Sequence, residues 1–253
     1  MNGSALYETT DLVEQYLLFH YGSADEILPY SFGPTDALNF ATRVVTEGFD
    51  LAWLKSGARA LDLGCAVGRS SFELSRWCDE VVGIDRSNAF IQAANTLKDS
   101  GSLEYRRVDE GPITTQLKAR VPGGVMPQKV SFQVGDALEV VPGQSKFDLV
   151  LAANLLDRVS DPARLLKTFS ERVISGGQLV ISSPYTWLKD YTPKSAWLAQ
   201  NDGDRRQTSL EGMKSILGGD FRLSEVKDLP FLIREHARKF QWSVAQVSRW
   251  VRE

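Results

Sequence analysis

The stretch Leu61-Asp62-Leu63-Gly64-Cys65-Ala66-Val67-Gly68-Arg69-Ser70 decides how the chain folds. It opens in a short apolar run from Arg59, turns tightly on two glycines four residues apart, and enters a helical pattern over 70–77. A glycine turn between strand and helix lets backbone approach a nucleotide-like ligand, because a Cβ would stand in the way. Taken alone, the turn reads equally well as a purely structural one.

Outward from it, four more apolar runs repeat the strand pattern, at 80–85, 130–134, 147–152 and 177–182. Helical spacing fills 87–100 and 161–174, the latter with Asp161-Pro162 as cap and first-turn pair and Gly176-Gly177 as its stop. Short Val/Ile/Leu strands alternating with helices predict an α/β fold, a doubly wound, mostly parallel sheet covered on both faces. Residues 101–126 are too long for an ordinary connection and read as an insertion between the second and third strands. At the end, 221–235 and 239–251 read as an antiparallel C-terminal hairpin at the sheet edge. Near the start, Asp11 three residues before Glu14 predicts a capping box, and Leu12, Val13, Tyr16, Leu17 and Phe19 predict an apolar helical stripe ending near Tyr21-Gly22. The segment 184–197 is crowded with aromatics and bounded by prolines, so it should fold back onto the core.

Composition narrows the classes. With 253 residues, 43% of them hydrophobic, the chain suits one domain with appended elements. Its 29 basic and 32 acidic residues are interspersed, leaving no basic stripe for nucleic acid. The first eight residues show neither a basic n-region nor an apolar h-region, and no run reaches about 18 apolar residues, so a cytoplasmic protein with no membrane partner is expected. Cys65 and Cys78 make neither a disulfide framework nor, without a His/Cys cluster, a metal site.

The second strand ends in Asp85, placed to accept a ribose diol as two hydrogen bonds. A dinucleotide pyrophosphate asks for G-x-G-x-x-G, whereas here the turn is Gly-Cys-Ala-Val-Gly. That favours a cofactor without phosphates, and S-adenosylmethionine fits, with a nicotinamide cofactor as the rival. Gly135-Asp136-Ala137 follows the third strand, where a carboxylate can accept an adenine amine or merely cap a helix. Asn154 closes the fourth strand, followed by Asp157-Arg158.

The run LDLGCAVG, GID, GDA, NLLDRVSDP and GGQLVISSP resembles the class I S-adenosylmethionine-dependent methyltransferases, over about half the chain. The resemblance implies a Rossmann-like fold with an N-terminal helical lid. It places Asp62, Gly64, Ala66 and Gly68, with Cys65 inside the turn, on the methionine part. Asp85 with Arg86 falls on the ribose, Asp136 and Ala137 on the adenine, and Asn154 at the rim of the reaction centre. Ala66 stands where that family usually has a glycine.

The flanks YETTDLVEQYLLFHYG, SSPYTWLKDYTPKSAWL and LPFLIREHARKFQWSVAQVSRW resemble something narrower, the 5-thiohistidine (4-mercaptohistidine) N-methyltransferases of ovothiol biosynthesis. That likeness covers nearly the whole chain. It implies methylation of the imidazole nitrogen nearest the side chain, giving ovothiol A, in a standalone form working alongside a sulfoxide synthase of the same pathway; the alternatives are a methyltransferase acting on another small molecule, or a catalytically inactive methyltransferase-like binding subunit. The single domain then divides into a helical cap (1–56), a cofactor-binding core (57–184), an aromatic substrate-side segment (185–220) and the hairpin (221–253).

Such chemistry needs alignment more than a strong base, since a neutral imidazole carries its own lone pair near pH 7. The ring sulfur is the softer nucleophile and must be held away from the methyl. Candidate anchors are Tyr16 and His20 from the first helix, Tyr185 and Tyr191 from the aromatic segment, and Arg234 with His236 from the hairpin. Each has an ordinary alternative: core packing for Tyr16, a helix-terminal cation for His20, a surface ion pair with Glu235 or Asp228 for Arg234, a turn position for His236. Cys65 is better read as a small buried hydrophobe than as a reactive thiol.

Overall fold

A computed structural model describes residues 7–139, 146–203 and 205–253; the reading of residues 1–6 as free of a leader lies outside them. Among the described residues, the α-helices α1 (Thr10–Tyr21), α2 (Ala24–Ile27) and α3 (Phe40–Thr46) precede the core. The core runs β1 (Arg59–Leu63), α4 (Arg69–Leu74), β2 (Glu80–Asp85), α5 (Asn88–Ser100), β3 (Ser102–Glu110), β4 (Ile113–Arg120), β5 (Val130–Val134), β6 (Phe147–Ala153), α6 (Pro162–Arg172) and β7 (Val173–Ser183). The short strands β8 (Gln200–Asp202) and β9 (Arg205–Gln207), helix α7 (Ser209–Leu217), and the long strands β10 (Phe221–His236) and β11 (Lys239–Arg252) follow.

Seven strands form one sheet in the order β10-β11-β7-β6-β1-β2-β5. The five from β5 to β7 are parallel, and β11 and β10 extend the sheet antiparallel beyond β7. Alternate side chains of each strand feed two apolar layers. Ala60, Val81, Leu149 and Val180 pack under Leu17, Val44, Phe72 and Phe90 of the first helices. Leu61, Val82, Val150 and Leu179 pack under Leu165, Phe169 and Met213 on the other face. Each fully buried aliphatic or aromatic side chain contributes about 1.5–3 kcal/mol, so strands with two buried faces make this sheet the stable centre. The doubly wound, mostly parallel architecture with its antiparallel hairpin is the one expected.

Two local expectations change, and two segments gain detail. Gly176-Gly177 does not stop α6, which ends at Arg172 and passes directly into β7. The two glycines sit inside that strand where the register jumps from Phe147↔Val173 to Leu149↔Gln178. Gly176 has φ +76°, and a Cβ on Gly177 would fall 2.8 Å from Val173 Cγ1 and 2.9 Å from the Asp148 carbonyl oxygen, so glycine is required by the bulge. The cap of α1 is Thr9, whose hydroxyl accepts from Leu12 N, not Asp11. Glu14 instead accepts from Arg106 N at 3.1 Å and Nε at 3.0 Å on β3, a stronger charged partner than the backbone of its own first turn. The 101–126 insertion is the antiparallel β3–β4 hairpin. Within 185–220 lies a helix the sequence reading passed over, α7, although its Thr208/Glu211 capping box was visible.

Candidate functional site

Strand order reverses between β1 and β6: β2 and β5 lie to one side, β7 to the other. A crevice for a ligand therefore opens at the carboxyl ends of these strands. The 64–68 turn, Asp85, Asp136 and Asn154 all stand there, each at the end of a different parallel strand.

The turn is held to β2 by Gly64 N and Cys65 N, which both donate to the Ile84 carbonyl, at 2.8 and 3.1 Å. Gly64, Ala66 and Gly68 have φ of +74°, +47° and +84°. For Ala66 this left-handed backbone costs about 1–2 kcal/mol, and it is stabilised by Ala66 N donating to Asp85 Oδ2 at 3.0 Å. The expected reason for glycine at 68 needs correcting. A Cβ there would meet Phe132 Cζ at 2.5 Å and Ala94 Cβ at 3.2 Å, so the packing of β5 and α5, rather than a ligand, excludes it.

Asp85 accepts from Ala66 N with one oxygen and from Ser87 N, at 2.9 Å, with the other. Burial raises its carboxyl pKa, and those backbone donors oppose the rise. Asp62 turns inward beneath the loop, where its Oδ2 accepts from Ser71 Oγ at 2.6 Å; burial pushes it up to about 7. Its immediate role is to fasten α4 under the turn. Cys65 is buried with its thiol pKa raised by burial. Asp136 Oδ1 accepts from Leu138 N at 2.9 Å, while Oδ2 faces Arg86 Nε at 3.8 Å above the buried Ala137. Asn154 adopts φ +49°, with its amide oxygen accepting from Ser182 Oγ at 3.1 Å.

The cap closes over this crevice from α1. The Tyr21 hydroxyl donates to the Val67 carbonyl at 2.8 Å, tying the helix to the turn. One turn earlier, Tyr16 packs at a tilt against Phe90 (centroids 4.8 Å apart) and meets His20 and Tyr7. Tyr7 in turn meets Tyr191 of the aromatic segment at 6.1 Å, and Arg158 lies 5.0 Å over the Tyr191 ring. Burial pushes the Tyr16 hydroxyl up to about 12 and raises that of Tyr7 too, so both remain protonated donors. His20 is pushed down to about 3, chiefly by burial and next by nearby Arg69, and its buried Nδ1 has no hydrogen-bond partner among the described residues.

Tyr16, His20 and Tyr191 thus come together, whereas Tyr185, Arg234 and His236 do not join them. Tyr185 donates to Gln246 Oε1 at 3.0 Å and packs with the α6/α7 layer. Arg234 is 3% exposed, and its Nη2 pairs with Asp109 Oδ1 at 3.0 Å while Nη1 donates to the Glu26 carbonyl at 2.9 Å. It therefore clamps β10 to the β3–β4 hairpin and α2, rather than reaching the crevice or a surface partner. His236 sits at the β10–β11 turn, its Nδ1 accepting from Arg238 N at 3.3 Å. The sequence reading missed Tyr7, Glu8 and the orientation of Arg158. Glu8 accepts from Asn88 N and Ala89 N at the start of α5, and the Tyr7 carbonyl accepts from Ser87 Oγ. No local signal marks contacts that span about eighty residues; the Asp157-Arg158 pair after β6 was the one visible hint.

A glycine turn and a strand-end carboxylate at the switch point define a nucleoside-cofactor site of the doubly wound class. The chain belongs to the methyltransferase domain family, whose model matches residues 38–216. It is similar to a ubiquinone biosynthesis O-methyltransferase of Azorhizobium caulinodans, 24% identical over 135 residues, which are 53% of this chain and 44% of that protein. It is also similar to a chloroplastic tocopherol O-methyltransferase of Arabidopsis thaliana, 29% identical over 130 residues, 51% of this chain and 30% of that one. The matched stretch thus spans less than half the length of either curated relative. Among solved structures, magnesium protoporphyrin IX methyltransferase of Synechocystis with bound SAH shares the fold with a TM-score of 0.58 at 16% identity, covering 98% of this chain and 97% of that one.

Fold and family are those of S-adenosylmethionine-dependent methyltransferases, and the residues present fit that cofactor. The two Asp85 oxygens each take one backbone donor and keep acceptor capacity for a diol, and the left-handed 64–68 turn is fixed directly beside this carboxylate by Ala66 N. Among the described residues, no helix is long and apolar enough to cross a membrane.

Proposed function

We propose that the chain transfers a methyl group to the imidazole nitrogen of 5-thiohistidine nearest the side chain, giving ovothiol A. The observation that carries this reading is the set of side chains that converges on the crevice, with Tyr16 against Phe90 and His20, Tyr7 against Tyr16 and Tyr191, and Arg158 over the Tyr191 ring. Burial holds the Tyr7 and Tyr16 hydroxyls protonated and leaves the His20 ring too weakly basic to abstract a proton at pH 7. These groups orient a nucleophile that arrives with its lone pair already free, as neutral imidazole does. The cofactor supplies an electrophilic methyl on a sulfonium. Asp85 and Asp136 hold its nucleoside end, Gly64 and Ala66 the methionine end, and Asn154 borders the reaction centre. Tyr16, Tyr191 and His20 wall the acceptor and exclude water. A sulfoxide synthase that attaches sulfur to the histidine ring is the reaction that would supply this acceptor.

A second reading, O-methylation of a small hydroxylated ring, is favoured by the two O-methyltransferase relatives. Incubating the purified protein with S-adenosylmethionine and 5-thiohistidine, then resolving the product by mass spectrometry and NMR, separates the outcomes. The expected product is the ring N-methyl compound. S-methylation, equal turnover of plain histidine, or turnover of catechols alone would each overturn the assignment.

A further inference from the structure

Arg158 follows β6 on the short turn 156–158 and lies over the Tyr191 ring of the aromatic cluster, with a single nitrogen making all its hydrogen bonds among the described residues. Nη1 donates to the Asp157 carbonyl at 3.0 Å, to Asp157 Oδ2 at 2.9 Å and to the Thr186 carbonyl at 2.9 Å. Nη2 and Nε make no hydrogen bond among the described residues. The ion-pair partner is itself fixed, since buried Asp157 accepts from Ser183 Oγ at 3.0 Å through its other oxygen. The guanidinium is therefore a fork clamped at one tip and lying over the Tyr191 ring, which meets Tyr7 and, through Tyr7, Tyr16.

A guanidinium edge with two parallel N–H donors matches a carboxylate bidentately. The carboxylates near this cluster are already occupied, Asp85 by the Ala66 and Ser87 amides and Glu8 by the Asn88 and Ala89 amides. We infer that Arg158, with the Tyr7 and Tyr16 hydroxyls, is the anchor for a carboxylate of the methyl acceptor, making this a site for amino-acid or other carboxylate-bearing small molecules. The inference deepens the reading given above and rests on it for the identity of the ring. Anchoring the carboxylate at Arg158 fixes the far end of the acceptor, so that ring orientation at the methyl is set by a charged contact about one side chain away.

The test compares 5-thiohistidine with its decarboxylated amine in wild type, Arg158→Gln and Arg158→Lys. The readout is the ratio of kcat/KM for the two acceptors within each protein, which is independent of the folded fraction. In wild type the amino acid should be preferred. Arg158→Gln should cut kcat/KM for the amino acid by roughly 10- to 150-fold and reduce the preference to near one, with Arg158→Lys in between. A wild type that shows no preference, or a variant that loses both acceptors equally, overturns the anchor. If wild type turns over neither compound, the thiohistidine reading fails. The anchor is then decided by thermal shift of the S-adenosylhomocysteine-loaded protein with aromatic and heteroaromatic carboxylates, each paired with its amide. Carboxylate-selective stabilisation that disappears in Arg158→Gln upholds it, and equal response to carboxylate and amide refutes it.

Discussion

Gly68→Ala separates two reasons for a glycine in the cofactor turn. An added Cβ would lie 2.5 Å from Phe132 Cζ and 2.8 Å from Cε1, on a backbone held at φ +84°. The left-handed backbone costs about 1–2 kcal/mol for a residue with a Cβ, and inserting a methyl into packed core costs typically about 1–3 kcal/mol. The ring is not a flexible tip that can swing aside: Phe132 is buried and stacks edge-on against Phe72 at 5.4 Å. The variant should therefore lose about 2–5 kcal/mol, lowering Tm by roughly 5–15 °C for a domain of this size. Urea and thermal unfolding measure this, with calorimetric titration of S-adenosylmethionine below the melting range as the companion assay. Combining Gly68→Ala with Phe132→Leu removes the colliding ring atoms but leaves the backbone cost, so the double-mutant cycle should show a favourable coupling of at least about 1 kcal/mol. A Gly68→Ala protein with unchanged Tm and abolished cofactor affinity would refute the packing argument and restore ligand approach as the reason.

Asp85→Ala should weaken S-adenosylmethionine binding by about 1.5–3 kcal/mol, the loss of a hydrogen-bonded charge, seen by calorimetry; unchanged affinity would remove Asp85 from the ribose site. Arg234→Ala should cost about 3 kcal/mol in unfolding because it strips a buried partner from Asp109, while folded enzyme keeps its kcat/KM; a specific loss of kcat/KM would return Arg234 to the substrate site. Asp62, raised to about 7 by burial, binds its proton more tightly folded than unfolded, so its contribution falls as pH rises from about 4 to 7. Asp62→Asn should then gain stability over wild type at pH 8, on the order of 2–4 kcal/mol, and none at pH 4. His20 has the opposite sign: lowered to about 3, it is favourable when neutral and loses stability as pH falls from about 6.5 toward 3. Acid titration of His20→Phe should be flatter in that window than wild type, and identical curves would contradict the burial of the ring.

Local pattern carried most of the architecture. Five apolar runs with helical stretches between them define a parallel sheet because its central strands β1, β6 and β7 are buried on both faces, and that requirement is written as short runs rich in Val, Ile and Leu. The turn at 64–68 and the carboxylate at 85 were legible for a related reason: strand ends converge on the crevice whatever the rest of the chain does. The same local logic failed where two explanations share one residue. Glycines at 176–177 suit a helix stop and a bulge equally, and only the register between β6 and β7 distinguishes them. Glycine at 68 suits ligand approach and ring packing equally, until Phe132, sixty-four positions away, is seen against it. Arg234 looked like a site residue or a surface cation, yet its carboxylate partner comes from the β3–β4 insertion, 125 positions earlier. Tyr7, Tyr16, Tyr191 and Arg158 meet from three separate segments. Their sequence neighbourhoods carry no trace of that meeting, because contacts between elements depend on how helices and loops dock on the sheet, which periodicity within any one element does not encode.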